Sequence, residues 1–263
     1  MKNNPFEVHG VQHLSPSSIN QFISCPAQWI LKVSGHRGPS SPAMWRGTCV
    51  DDAVSSAFDY EDKDMIEKTT KNAISIFDNL YERNKKTNDS LGLKYDIEKV
   101  EAERNNIQRY VEVAIPFYKA IGKPTAIQKK IELQFEEIPV PIIGYIDLQY
   151  EGIIRDIKTT GRLLKVIPSS ICRQLSVYAY AENSIPYADF IHVTKAKAEV
   201  VSMEITDVES RVNEVKKAAL SMMNVLSYSD DITQVASLFY PDFDDWRWSD
   251  LDIEAAKILW RIK

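Results

Sequence analysis

Residues 144–178 read GYIDLQYEGIIRDIKTTGRLLKVIPSSICRQLSVY, and the fold turns on how this stretch is read. Its first part closes the apolar run VPIIGYIDLQY, whose β-branched and aromatic content predicts a strand with Asp147 near its end. A Glu151-Gly152 turn follows, a weaker hairpin signal than Asn-Gly or Asp-Gly, and IIRDIKTT predicts the returning arm. If the arms pair, Asp147 and Asp156 come close. Lys158 shares a strand face with Asp156, because side chains repeat every two residues. Two carboxylates and an ammonium then converge. A helix predicted from about Pro168 to Glu182 carries Gln174 and Tyr178 four residues apart, on one face.

Upstream, IQKKIELQFE (127–136) predicts a strand with Ile131, Leu133 and Phe135 on one face and Glu132 on the other. Downstream, PYADFIHV and EVVSMEI predict two further strands, followed by a helix from Asp207. The tail holds the aromatic segment FYPDFDDWRWSD and a closing helix through Trp260. Trp246 and Trp248 are candidates for stacking on unpaired bases, against core packing as the blander use.

Residues 1–14 read as a loose lead-in. In LSPSSINQFISCPAQWILK, Ser15 or Ser17 caps a helix, Pro16 suits its first turn, and Pro26 breaks or restarts it. SGHRGPSSPA reads as a surface loop. In MWRGTCVDDAVSSAFDY, Thr48 is the expected cap, which places Asp51 and Asp52 in a first turn where the helix dipole favours carboxylates. From Glu61 to about Ile121 the chain is charged and helical in pattern, with a loop expected at TNDSLGLKY. The division expected is a helical region over 1–126, a catalytic core over 127–226 and a tail over 227–263 that packs on it. The order helix, three strands, helix, two strands predicts an α/β core with a mixed sheet behind an N-terminal helical region.

The 263 residues carry a net charge of −5 and are 44% hydrophobic, ordinary values for a soluble globular chain. No apolar run reaches the ~20 residues that span a bilayer, and the N-terminus lacks a signal-peptide core, so a cytoplasmic location and no membrane partner are expected. Cys25, Cys49 and Cys172 are widely spaced and exclude a disulfide framework or a zinc site built from close cysteine pairs. The acidic balance argues against indiscriminate coating of nucleic acid, but not against a local basic groove. Arg155, Arg162, Lys165 and Arg173 lie around the Asp-x-Lys stretch in sequence and are the candidates for such a groove.

Five separated motifs resemble the RecB-like exonuclease branch of the PD-(D/E)xK nuclease superfamily, over roughly Leu14 to Ile205. The family's opening helix is matched by SPSSINQFISCPAQW (15–29), and its R-G-T-x-x-His helix by Arg46-Gly47-Thr48-Cys49-Val50-Asp51. G-x-x-D is Gly144 to Asp147, D-x-K is Asp156-Ile157-Lys158, and Q-x-x-x-Y is Gln174 to Tyr178. The resemblance implies a restriction-endonuclease-like core, a mixed sheet flanked by helices. It also implies a Mg²⁺-dependent DNA exonuclease, phage-encoded or cellular, serving DNA repair, recombination or phage replication. If phage-encoded, it would act in the host cytoplasm.

By that resemblance Asp51, Asp147, Asp156 and the Ile157 carbonyl hold metal, with Mn²⁺ able to substitute for Mg²⁺. Lys158 orients or deprotonates water, and Gln174 and Tyr178 position substrate. Asp51 stands where the family has histidine, and the adjacent Asp52 leaves the register open. Glu132 is a secondary candidate ligand, with a surface or hydrogen-bonding role as its blander reading. The cysteine quartet of the iron-sulfur branch is missing, so no cluster is expected. Linear or single-stranded DNA is the implied substrate, and a helicase, an annealing protein or further copies of the chain are the implied partners. RNA is the rival substrate, and a non-catalytic DNA-binding or assembly module that keeps the fold is the rival function.

Overall fold

A computed structural model describes residues 4–61, 64–90 and 94–262. Five strands form one sheet in the order β1 (Ala126–Leu133), β2 (Ile142–Tyr150), β3 (Ile153–Thr160), β4 (Ile185–Val193) and β5 (Ala198–Glu204). All neighbours are antiparallel except β3 and β4. That parallel pair requires a crossover, supplied by α7 (Ser169–Glu182). The sheet is therefore mixed, as the order of predicted elements implies. Gly152, at φ 67°, turns the chain between β2 and β3, a conformation that costs glycine little.

Helices cover both faces. On one, α7 packs with α2 (Pro16–Ser24), α3 (Pro26–Val33) and α8 (Val208–Leu226) over Ile131, Ile142, Ile146, Ile154, Ala188 and Phe190. On the other, α4 (Pro42–Ala57) and α6 (Ile97–Ile121) bury Val50, Val54, Tyr110 and Tyr118 against Leu148, Ile157 and Ile191. The charged stretch folds as α5 (Met65–Ser90) and α6, which pack on α4 around Trp45, Phe77, Ile107 and Ile115.

Several local expectations are corrected. The lead-in contains a short helix, α1 (Pro5–Val8), capped by Asn4, and Leu14 bridges to Ile142 beside the sheet. Ser41, not Thr48, caps α4, with Pro42 at its first position, so the helix begins inside the expected loop. Asp51 and Asp52 consequently lie in mid-helix, and the first-turn dipole account of them does not apply. α5 continues through Thr87 to Ser90, which shortens the loop expected at TNDSLGLKY; residues 91–93 lie outside the described residues. In the tail, α9 (Ile232–Ala236) precedes α10 (Asp250–Trp260). Trp248 is buried edge-on against Phe243, whereas Trp246 is exposed under the Arg247 guanidinium. Among the described residues no helix is long and apolar enough to cross a membrane.

Candidate active site

The site lies where β2 and β3 part. The two strands pair only from Leu148–Arg155 to Tyr150–Ile153. Beyond that the ladder opens, and the Ile157 N–H donates to the Asp147 carboxylate at 2.7 Å instead of to a β2 carbonyl. A strand residue turns its N–H and C=O to the same edge, so the Ile157 carbonyl also faces this gap. The expected convergence of Asp147 and Asp156 therefore arises from a splayed hairpin rather than from continuous pairing.

Gln128 marks the same distortion on β1. It is a non-glycine residue at φ 49°, and the β1–β2 register passes over it between Ile127–Leu148 and Lys129–Ile146. Its side chain reaches Asp51 Oδ2 at 2.7 Å and Asp147 Oδ1 at 3.5 Å, bridging two acids from different elements. Asp156 lies on the α7 side of β3, where Lys158 Nζ stands 2.5 Å from its Oδ2. Gln174 Nε2 reaches its Oδ1 at 3.4 Å and also donates to the Tyr178 hydroxyl at 3.2 Å.

The crowding has an electrostatic signature. Burial first, then the Asp156 carboxylate, pushes the Asp51 carboxyl up to about 6. Burial, then Asp156 and Asp51, holds Asp147 well above the usual carboxylate range. For Lys158 burial is the largest influence and acts downward. Attraction to Asp156 and Asp147 outweighs it and leaves the ammonium above its ordinary value. Lys158 is therefore protonated at neutral pH in this state: it supplies charge and is not poised to deprotonate water.

The motif residues around the acids have mechanical tasks. A methyl group on Gly144 would sit 2.8 Å from Tyr178 Cζ and 2.9 Å from its hydroxyl, with Cε1 closer still, so only glycine lets the ring pack this close to β2. Arg46 ties α4 to β3 through the Thr159 hydroxyl at 3.3 Å, pairs with Glu103 of α6 and stacks over Tyr110. This clamp sets α4 against the sheet and holds Asp51 over the gap.

The acids also pass a test of fit for a divalent cation. Asp51 Oδ1 is buried without a partner, and Asp156 Oδ2 meets Lys158 in ion-pair contact but accepts no well-directed hydrogen bond. Asp51 and Asp147, whose proton affinity is raised beside the Asp156 carboxylate, form with it a hard-oxygen donor set suited to Mg²⁺. Among the described residues, no three Asp, Glu, His or Cys side chains already stand as a closed metal cage. Gln128 and Lys158 occupy positions between or against these carboxylates.

The remaining sequence candidates are placed elsewhere. Asp52 points to α5, where it accepts from Asn72 at 3.1 Å, so Asp51 is the acid that faces the cluster. Glu132 is exposed and pairs with Lys130 on its own strand. Arg155 lies on the opposite face of the sheet, bonded to Asp189 and Ser202 between Phe117 and Tyr187. Arg173 is held by Asn20 and Glu214. Neither arginine offers a free guanidinium to the gap. Arg162 and Lys165 are exposed in the turn after β3. Gln128 and Arg46 are the site residues that sequence reasoning gave no role. Arg46 lay inside a quoted motif; Gln128 had no local signal.

Comparison with known proteins bears on the family and the fold. No curated protein matches the chain at a significant level. A crystal structure of a candidate exonuclease from Eubacterium rectale superposes with a TM-score of 0.50 at 15% identity, over 97% of this chain and 92% of that one, a likeness of fold. The crystal structure of SSO0001 covers 84% of this chain and 96% of its own at 11% identity, with a TM-score of only 0.32. The sequence profile of the PD-(D/E)XK nuclease superfamily matches residues 13–246, and that span takes in all four of Asp51, Asp147, Asp156 and Lys158. The chain belongs to the PD-(D/E)XK nuclease superfamily.

Proposed function

We propose that the protein is a Mg²⁺-dependent deoxyribonuclease that degrades DNA from its ends, in repair, recombination or phage replication. The observation that carries the chemistry is the gathering of Asp51, Asp147 and Asp156 from three elements around one gap, with Lys158 against them. Nucleases of this superfamily work with divalent cations, and the orphaned carboxylate oxygens favour the same for this chain. Asp51, Asp147, Asp156 and the Ile157 carbonyl are the proposed ligands. A bound divalent cation supplies activated water and neutralises phosphoryl oxygens.

The chain's own groups do the rest. Lys158, held as an ammonium, offsets charge developing on the scissile phosphate. Gln174 and Tyr178 orient the strand beside it, and Gln128 fixes the spacing of Asp51 and Asp147. Preference for ends rests on the family resemblance alone. The test compares linear and circular DNA with Mg²⁺, Mn²⁺ or EDTA, for the wild type and for Asp156→Ala and Lys158→Ala. Linear DNA should be degraded only with metal and only by the wild type. Undiminished cleavage by either folded variant would sink the assignment.

A further inference from the structure

Two cavities lie beside α2, and the first reaches Gln174, which bonds Asp156. The first, about 370 Å³, opens beside Gln174 and Tyr178 and is bounded by Lys130, Tyr145 and the Ser15–Ser17 turn. The second, about 260 Å³, shares His13 and Ser15 with the first and runs on to Lys32 and Arg37. The first is on the scale of a small-ligand pocket, and the second is somewhat smaller. Neither is lined by a single Asp or Glu, in a chain with 37 acidic residues and a net charge of −5.

Two of the three cations here are uncompensated, whereas Lys130 pairs with the exposed Glu132 at 3.5 Å. Arg37 donates to the main-chain carbonyls of Lys32 and His36 and, like Lys32, has no ion-pair partner among the described residues. The Lys32 ammonium is destabilised by burial and then by Arg37, a repulsion that a bound anion would relieve. At the other end, Lys130 stands directly across the β1–β2 ladder from Tyr145, an exposed aromatic ring. Cations, an open ring and cavity linings without a carboxylate, leading away from the proposed phosphodiester-cleaving centre, match the chemistry of a polynucleotide strand: phosphates at ionic spacing and bases with π faces.

We propose that this trough holds an unpaired DNA strand on one side of the scissile phosphate. Lys130, Lys32 and Arg37 engage its phosphates, and Tyr145 stacks on a base. The proposal rests on the nuclease reading for the direction of the strand but not for its test, which is equilibrium binding in EDTA. A labelled single-stranded oligothymidylate and a duplex of equal length are titrated by fluorescence anisotropy across a KCl series. Lys32→Glu, Arg37→Glu and Lys130→Gln should each weaken single-strand binding and flatten the slope of log K against log[salt] by about 0.7 per lost phosphate contact. Tyr145→Ala should weaken it about five- to a hundred-fold with the slope unchanged, the effect of losing one base–aromatic stack.

Thermal melting checks that each variant is folded, and the exposed Lys130→Gln and Tyr145→Ala keep the test open if Lys32→Glu is not. Wild-type single-strand affinity in the folded variants would overturn the proposal, as would an equal or larger loss for the duplex. Retained cleavage by Asp156→Ala would instead remove the nuclease reading and leave the binding result standing.

Discussion

Gly144→Ala tests the seat of α7 on β2. The added methyl would stand 2.8 Å from Tyr178 Cζ, with Cε1 nearer, inside ordinary contact distance for any carbon pair. Tyr178 is almost fully buried on α7 and is tied by Gln174 to Asp156, so the ring can swing only toward the cavity it lines with Gln174, at the expense of that tie. Overpacking of this kind costs about 1–3 kcal/mol. For a chain of this size that corresponds to a fall of roughly 2–12 °C in melting temperature. The ring yields into that cavity or by moving α7 outward, and either shift disturbs the contact of Gln174 with Asp156, so nuclease turnover should fall as well.

A double-mutant cycle isolates the clash. Tyr178→Ala removes the obstacle, and the doubly substituted protein should be more stable than the sum of the single effects by about 0.5–3 kcal/mol. The assay is urea unfolding of four proteins at matched pH, with cleavage of linear DNA measured alongside. Additivity within about 0.5 kcal/mol, or a Gly144→Ala protein as stable as wild type, would refute the seat.

Arg155→Ala should cost about 3–5 kcal/mol in chemical denaturation, because it leaves the fully buried Asp189 carboxylate with the Ser202 hydroxyl but no cation; adding Asp189→Asn should recover much of that loss. Asp51→Asn should abolish Mg²⁺-dependent cleavage and weaken Mg²⁺ binding in calorimetry, whereas Asp52→Asn, whose carboxylate bonds Asn72 and acts on Asp51 only as a minor charge, should leave both near wild type; equal losses would contradict the register. Lys129, then Gln149, holds the half-buried Glu182 carboxyl below its ordinary value, so its stabilisation is present above the unfolded-state pKa and is lost as pH falls through the lower folded one. Glu182→Gln should accordingly destabilise the protein at pH 7 and match wild type in strong acid, as read from urea midpoints across pH.

Much of this molecule is legible in the chain because the signals are local. Apolar period and turn chemistry predict five strands and their flanking helices, and Ser15-Pro16 and Pro26 mark α2 and α3. Asp156 and Lys158 share a face by strand period, and Gln174 and Tyr178 by helix period. The same period, applied to Arg155, places it on the face away from Asp156, so its removal from the site was readable as well. Arg173 is similar: it adjoins Gln174, but a helix turns neighbouring side chains to different sides.

What only the tertiary structure decides is where separate elements meet. Whether Asp51 or Asp52 faces the acids depends on how α4 docks, and that depends on Arg46 reaching Thr159, a residue 113 positions along the chain. The parting of β2 from β3 has no sequence mark, because it comes from Asp147 capturing the Ile157 N–H across the gap. Gln128 joins the site only through a left-handed backbone that strand propensity argues against. Local rules supply the acids and the lysine. Long-range packing turns them toward one another, since no residue carries in its own neighbourhood the position of a partner on another element.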